Sequence, residues 1–172
     1  ERLTEILLNA GCMKLMFVGN PKATGSIMDR YMGYCKALEK RGLEIRPEDV
    51  ILDRISDGYD YHLRIELPET LPEGFVCNCD KTANILIGKL IERGVRIPED
   101  VSVVGFDHYY SDVREGMQLT TYENDQKAIA LISTNTILKR IAGVKAAGIR
   151  FVEGNIVHGN TVKSMEGLVQ NG

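Results

Sequence analysis

Two rhythms of apolar and polar residues run along this chain. Short, continuous apolar runs predict strands that are buried on both faces, whereas apolar residues spaced three or four apart predict helices between them. Glycines at 11, 42 and 94 end the helical patterns. The predicted strands lie at residues 14–19, 50–53, 75–78 and 101–106, and the predicted helices at 3–10, 26–41 and 81–93.

Strands that alternate with helices in this way indicate a parallel sheet with right-handed crossovers, in an α/β fold of three layers. After residue 106 the rhythm changes. The pattern predicts a short extended segment at 119–122, a helix at 125–141 and strands at 149–152 and 155–162. The helix carries one apolar stripe, formed by Leu131, Leu138 and Ile141. Prolines interrupt the stretch from 57 to 74, where only a short helix near 59–67 is expected.

Polar residues follow three of the predicted strands, at residues 20–26, 78–80 and 107–110. Ligands of open α/β sheets bind beyond the carboxyl ends of the strands, so these clusters are expected to line one crevice. Ser26 and Asp80 each have a second interpretation, as the cap of the helix that follows, and for Asp80 the cap is favoured. Asp107 has no such role and is the better candidate for a ligand contact.

Composition and charge narrow the possible functions. The chain has 172 residues, of which 44% are hydrophobic and 26% charged, with a formal net charge of −3. These values are typical of globular proteins, and a prior of about 150 residues per domain gives one domain. A slightly acidic chain without a block of basic residues is not expected to bind DNA or RNA by itself. No apolar run approaches the ~18 residues of a membrane helix.

The motifs of common catalytic and metal sites are missing from the sequence. The four cysteines form no C-x-x-C pair, which favours free thiols in a reducing compartment and predicts no metal. The loop at 19–26 has the wrong spacing for a phosphate-binding loop, and there is no G-x-S-x-G motif. We therefore expect a binding protein that is not an enzyme and carries no cofactor.

Four motifs, in this order, resemble those of the lactose/galactose repressor family of bacterial transcription regulators. They are RYMGY at 30–34, CDKTA at 79–83, GVRIPEDVSVVGFD at 94–107 and LTT at 119–121. The match runs from about residue 11 to 125, with a weaker one at 156–163. The similar region of that family is its effector-binding domain.

The resemblance implies a periplasmic-binding-protein-like fold of type I, in which two α/β lobes close on a small ligand. Residues 1–121 would form the C-terminal lobe, 122–148 would belong to a mostly absent N-terminal lobe, and 149–172 would return to the C-terminal lobe and end in a tail. An alternative with the same fold is a periplasmic or lipid-anchored sugar-binding protein of an uptake system.

The resemblance also implies partners. A small effector, most often a carbohydrate, would bind in the cleft and control the affinity for operator DNA. The DNA would be bound by a helix-turn-helix domain that this chain does not contain. We expect a cytoplasmic protein without a membrane contact. The apolar stripe of helix 125–141 predicts a homodimer or higher homo-oligomer, in which this segment is buried against another copy.

Individual contacts follow where residues match the family's motifs. Arg30 would supply a fork-shaped donor, Asp107 would accept hydrogen bonds from hydroxyl groups, and Asn124 would add a contact from the hinge side. Cys79 stands where the family usually has Asn, which replaces an amide by a weak thiol donor. The alternative for Arg30 is a surface ion pair with Asp29 or a neighbour. The expected effector-binding set is Ser26, Arg30, Cys79, Asp80, Asp107 and Asn124.

Overall fold

A four-stranded parallel sheet forms the centre of the protein. The computed structural model describes residues 1–54, 65–109, 112–114, 116–146 and 148–164. The α-helices and strands up to the end of the sheet are α1 (Arg2–Asn9), β1 (Leu15–Val18), α2 (Gly25–Lys40), β2 (Val50–Ile51), β3 (Gly74–Cys77), α3 (Asp80–Glu92) and β4 (Ser102–Val104), with a short 3-10 helix at Pro47–Asp49 before β2. The strand order is β2-β1-β3-β4, and all three pairings are parallel.

Side chains alternate between the two faces of this sheet, as the period of a strand requires. Phe17 of β1 lies opposite Val76 of β3, and Val76 lies opposite Val104 of β4. This row packs against α1 and α2 in one apolar core. The residues between them, such as Phe75 and Val103, pack against α3 in a second core on the other face. The predicted three-layer α/β/α arrangement is confirmed.

The chain then extends the sheet and leaves it. The later elements are β5 (Asp112–Arg114), β6 (Met117–Gln118), β7 (Thr121–Glu123), α4 (Gln126–Ile141) and β8 (Asn155–Val157). Parallel bridges join Val104 to Thr120 and Asp107 to Glu123, so β7 lies beside β4. β8 pairs with β7 antiparallel, and β5 forms a hairpin with β6 that the sequence pattern did not predict.

Several predictions about the second half of the chain need correction. No strand forms at 149–152, and the strand predicted at 155–162 is limited to the three residues of β8. The short helix expected near 59–67 lies largely outside the described residues. The helix predicted at 125–141 is confirmed as α4, and none of its described residues is buried. Leu138 is 57% exposed and Ile141 is 78% exposed.

Both predicted helix caps are wrong. The cap of α2 is Thr24, whose hydroxyl accepts a hydrogen bond from the Ile27 amide at 3.2 Å, and Ser26 already lies inside the helix. The capping position of α3 is taken by Cys79, without a side-chain cap, and Asp80 is the first helical residue. In both places the last residue in the extended conformation, Thr24 or Cys79, lies one or two positions before the predicted cap. Sequence patterns do not resolve helix ends to within one or two residues.

Candidate functional site

Three polar side chains from separate elements meet at the carboxyl edge of the sheet. Arg30 comes from α2, Asp107 follows β4 and Asn124 follows β7. The Arg30 Nη2 atom lies 3.4 Å from Asp107 Oδ1, and the Asn124 side-chain amide donates to the same oxygen at 3.2 Å. Parallel strands end at one edge, which brings Arg30 together with Asp107, 77 positions later in the sequence, and with Asn124, a further 17 positions on. The predicted crevice and three of its residues are therefore placed together.

Arg30 is held by contacts on more than one side. Its Nη1 atom donates to the backbone carbonyl of Asn78 at 2.7 Å. Its guanidinium carbon lies 3.9 Å from the centre of the Phe106 ring, in a cation–π contact. The ion pair of Arg30 is with Asp107, not with Asp29, so the surface-pair interpretation is wrong.

Asp107 is a partly buried carboxylate in an unusual backbone conformation. Burial raises the pKa of its carboxyl above the ordinary 3.8, and Asp80 adds to this, whereas Arg30 and the Asn124 amide lower the pKa. Asp107 and His108 have φ angles of 105° and 52°, which non-glycine residues seldom adopt. Such residues cluster at ligand sites, where the surrounding structure maintains the strain.

Asp80 holds the edge of the site together. It is 1% exposed. Its Oδ1 accepts a hydrogen bond from the Thr121 hydroxyl at 2.6 Å, and its Oδ2 accepts one from the Tyr109 amide at 2.9 Å. Its own amide donates to the Phe106 carbonyl. The carboxylate thus connects α3 with β7 and with the loop that carries Asp107, which explains why an acidic residue starts this helix.

A cavity of about 450 Å³ opens at this edge. Its volume suits a small molecule. Of the predicted set, four residues line it. Arg30 is not among its lining residues: it pairs with Asp107, which is, and itself lines a second cavity of about 320 Å³. Ser26 is exposed and bonds to the Thr24 hydroxyl, away from this lining. The lining residues are Cys79, Asp80, Lys81, Asp107, Tyr109, Asn124, Gln126 and Ile129.

Sequence reasoning missed part of this lining. Tyr109 belongs to the polar cluster at 107–110 but not to the expected effector-binding set, and it is 70% exposed and borders the cavity. Lys81 follows the predicted Cys79-Asp80 pair directly, so its proximity in sequence was a usable signal. Gln126 and Ile129 carried no signal, because they come from α4, which lies between β7 and β8 in the chain, and the sequence pattern does not show where this helix packs.

The described residues provide neither a metal cluster nor a membrane-spanning helix. Within those ranges, no group of three His, Cys, Asp or Glu side chains is arranged to hold a metal ion. Among the helices of the described part of the chain, none combines the length and apolar character needed to cross a membrane. Cys12, Cys35, Cys77 and Cys79 are all free thiols.

Comparison with known proteins decides the family. The sequence profile of the periplasmic binding protein-like domain matches residues 4–162. The chain belongs to this family. It is also similar to repressors of transcription. It is 31% identical over 114 residues to the HTH-type transcriptional repressor PurR of Glaesserella parasuis, a match that covers 65% of this chain and 34% of the repressor.

The PurR repressor of Pasteurella multocida is 27% identical over 140 residues, which cover 80% of this chain and 42% of that protein. The chain therefore spans less than half the length of these relatives. Among solved structures, a periplasmic binding protein/LacI transcriptional regulator from Alkaliphilus metalliredigens, complexed with D-xylulofuranose, has a TM-score of 0.80 at 23% identity. That match covers 95% of this chain and 62% of the other. The predicted fold and family resemblance are both confirmed.

Proposed function

We propose that this chain is the effector-sensing part of a cytoplasmic, DNA-binding transcription regulator. The observation that carries the proposal is the meeting of Arg30, Asp107 and Asn124 beside a cavity, in a chain whose relatives are named as repressors. Those names favour a regulator over a protein of sugar uptake. Operator DNA would be bound by a helix-turn-helix domain that lies outside these residues.

The effector we propose is a small polyhydroxylated molecule, such as a carbohydrate. A carboxylate has about four lone-pair sites, and Asp107 uses one oxygen for both Arg30 and Asn124. Its second oxygen could accept from a hydroxyl group of the ligand. The Arg30 guanidinium offers donors to a neighbouring hydroxyl, and the exposed Tyr109 ring offers an apolar face. The D-xylulofuranose complex of one related fold supports this ligand class.

The ligand would be bound and released unchanged. It would act by closing two lobes on each other, and so by shifting a regulator between arrangements that differ in operator affinity. The cavity supports this view because its lining comes from the sheet edge on one side and from α4 on the other. A ligand recovered intact after prolonged incubation with the protein, by NMR, is the expected outcome.

We also propose that residues 122–148 belong to a second lobe, whereas 1–121 belong to the lobe that contains the parallel sheet and 149–172 return to it and end in a tail. The exposure of α4 supports this division, since Leu131, Leu138 and Ile141 are all more than half exposed. Apolar stripes of this kind are normally covered. In this chain we propose that a second copy covers the stripe, giving a homodimer or higher homo-oligomer.

Sedimentation equilibrium at micromolar concentration tests the oligomer. Leu138→Asp should shift the protein toward monomer, because it places a charge in the proposed contact. Ser133→Asp adds the same charge at an exposed polar position on another face of the same helix and should leave the mass unchanged. A monomeric wild-type protein would refute the proposed oligomer.

Calorimetry on the full-length regulator, with a panel of sugars and sugar phosphates, tests the site. Arg30→Ala and Asp107→Ala should each weaken binding by about 10- to 100-fold, the equivalent of losing one hydrogen bond to a charged group. Arg46→Ala removes another arginine that forms an ion pair, Arg46–Asp49, far from the cavity, and should leave the affinity unchanged. Unchanged affinity in both site variants would refute the assignment of Arg30 and Asp107 as effector contacts.

A further inference from the structure

A buried ion pair at the end of β2 is not used by the site as described so far. Asp53 and Arg54 are adjacent in the chain, and their side chains are 0% and 7% exposed. Arg54 donates to Asp53 through Nε at 3.1 Å and through Nη2 at 2.7 Å. Removing two charges from water costs free energy even when the charges are paired, so a role beyond stability is expected for this pair.

The Asp53 carboxylate has two more donors, and both come from neighbouring strand ends. The backbone amide of Asn20, just beyond β1, donates to Oδ1 at 2.8 Å. The side-chain amide of Asn78, just beyond β3, donates to Oδ2 at 3.0 Å. One carboxylate therefore fixes the relative positions of three strand ends at the edge where the cavity opens.

Asn78 passes this constraint to Arg30. Asn78 is the residue directly after β3, so its backbone carbonyl oxygen takes no part in strand pairing. This oxygen accepts a hydrogen bond of 2.7 Å from Arg30 Nη1. The backbone opposite leaves little room for Asn78 to move. A Cβ added at Gly19 would lie 2.7 Å from the Cβ of Asn78.

The other contacts of Arg30 leave the direction of its guanidinium less well defined. The contact with Asp107 is 3.4 Å long, at the far end of hydrogen-bond range. The cation–π contact places the guanidinium carbon over the Phe106 ring but selects no direction for the individual N–H donors. The short bond to the Asn78 carbonyl is thus the contact that aims the donors of Arg30.

We propose that Asp53 and Asn78 are positioning residues for Arg30. Asp53 anchors the Asn78 side chain, the Asn78 carbonyl orients the guanidinium, and the remaining Arg30 donors face the site. The proposal rests on the proposed function in one respect only, that Arg30 contacts the effector.

Nuclear magnetic resonance of the ligand-free protein tests this chain of contacts. In protein labelled with ¹⁵N-arginine, the side-chain signals of Arg30 are assigned by their loss in Arg30→Lys. In Asn78→Ala the rotation about the Cζ–Nη bonds of Arg30 should accelerate about tenfold, the fold-change that corresponds to one hydrogen bond. Ser102→Ala, which removes an equally buried polar group from the opposite end of the sheet, should leave these signals unchanged.

Unchanged Arg30 signals and rotation in folded Asn78→Ala would overturn the proposal. If that variant does not accumulate as folded protein, Asn78→Ser serves in its place, because serine retains a small polar side chain that is too short to reach Asp53 in the same way. The measurement needs no effector. A failure of the sugar panel would therefore count against the proposed function and leave this result standing.

Discussion

Removing the Thr121 hydroxyl should measure how strongly Asp80 holds the edge of the site. Thr121 and Asp80 are 0% and 1% exposed, and the hydroxyl donates to the carboxylate at 2.6 Å. Thr121→Val keeps the shape of the side chain and removes only this donor. A hydrogen bond to a charged group contributes roughly 1.5–3 kcal/mol. The added methyl group, buried in place of the hydroxyl, returns up to about 0.8 kcal/mol.

The expected net loss is therefore about 1–2 kcal/mol in the free energy of unfolding. For a chain of 172 residues, each kcal/mol lowers Tm by roughly 2–4 °C, so the melting point should fall by roughly 2–8 °C. Urea unfolding followed by circular dichroism measures the free energy directly. Thr70→Val makes the same change at an exposed position and should fall within about 0.5 kcal/mol of wild type. A Thr121→Val variant as stable as Thr70→Val would refute the role assigned to Asp80.

Three further predictions concern buried groups. Gly105→Ala should cost about 1–3 kcal/mol in urea unfolding, because the new Cβ would overlap an oxygen of Asp80; wild-type stability would contradict this. The folded protein raises the pKa of Asp107 above 3.8, so it binds that proton more tightly than the unfolded chain, and stability should fall as pH rises through the raised pKa. Asp107→Asn should lose this dependence, and equal pH profiles would count against it. Burial raises the pKa of the Cys12 and Cys77 thiols and covers both side chains, so they should react with a thiol reagent about tenfold more slowly than the partly exposed Cys79. Mass spectrometry should find the three labelled equally only after unfolding, and equal labelling of the folded protein would contradict the prediction.

The charges around the cavity would influence whether neutral or phosphorylated effectors bind. Arg30 and Asp107 neutralise each other in part, and Lys81 adds a positive charge to the cavity. The weak thiol of Cys79 borders the same cavity and contacts the Thr82 hydroxyl at 3.3 Å. A calorimetric panel that includes both neutral and phosphorylated sugars separates recognition by hydroxyl groups from recognition by charge.

The sequence by itself predicted α1 to α3, the four strands of the parallel sheet and the edge of the sheet that carries the site. Strand runs and helical spacing are local properties, and parallel topology sends every strand end to one side. That topology predicted Asp107 in the crevice, whereas Arg30 and Asn124 entered the predicted set through the family resemblance alone.

Only the tertiary structure decided which donors the buried carboxylates receive. Asp80 accepts from Thr121, 41 positions away, and Asp53 accepts from Asn78, 25 positions away. Such pairs depend on the relative placement of whole strands and helices, which no local pattern encodes. For the same reason the sequence favoured a helix cap for Asp80: within its own neighbourhood the residue has no other partner, and its actual partners come within reach only when the sheet is assembled.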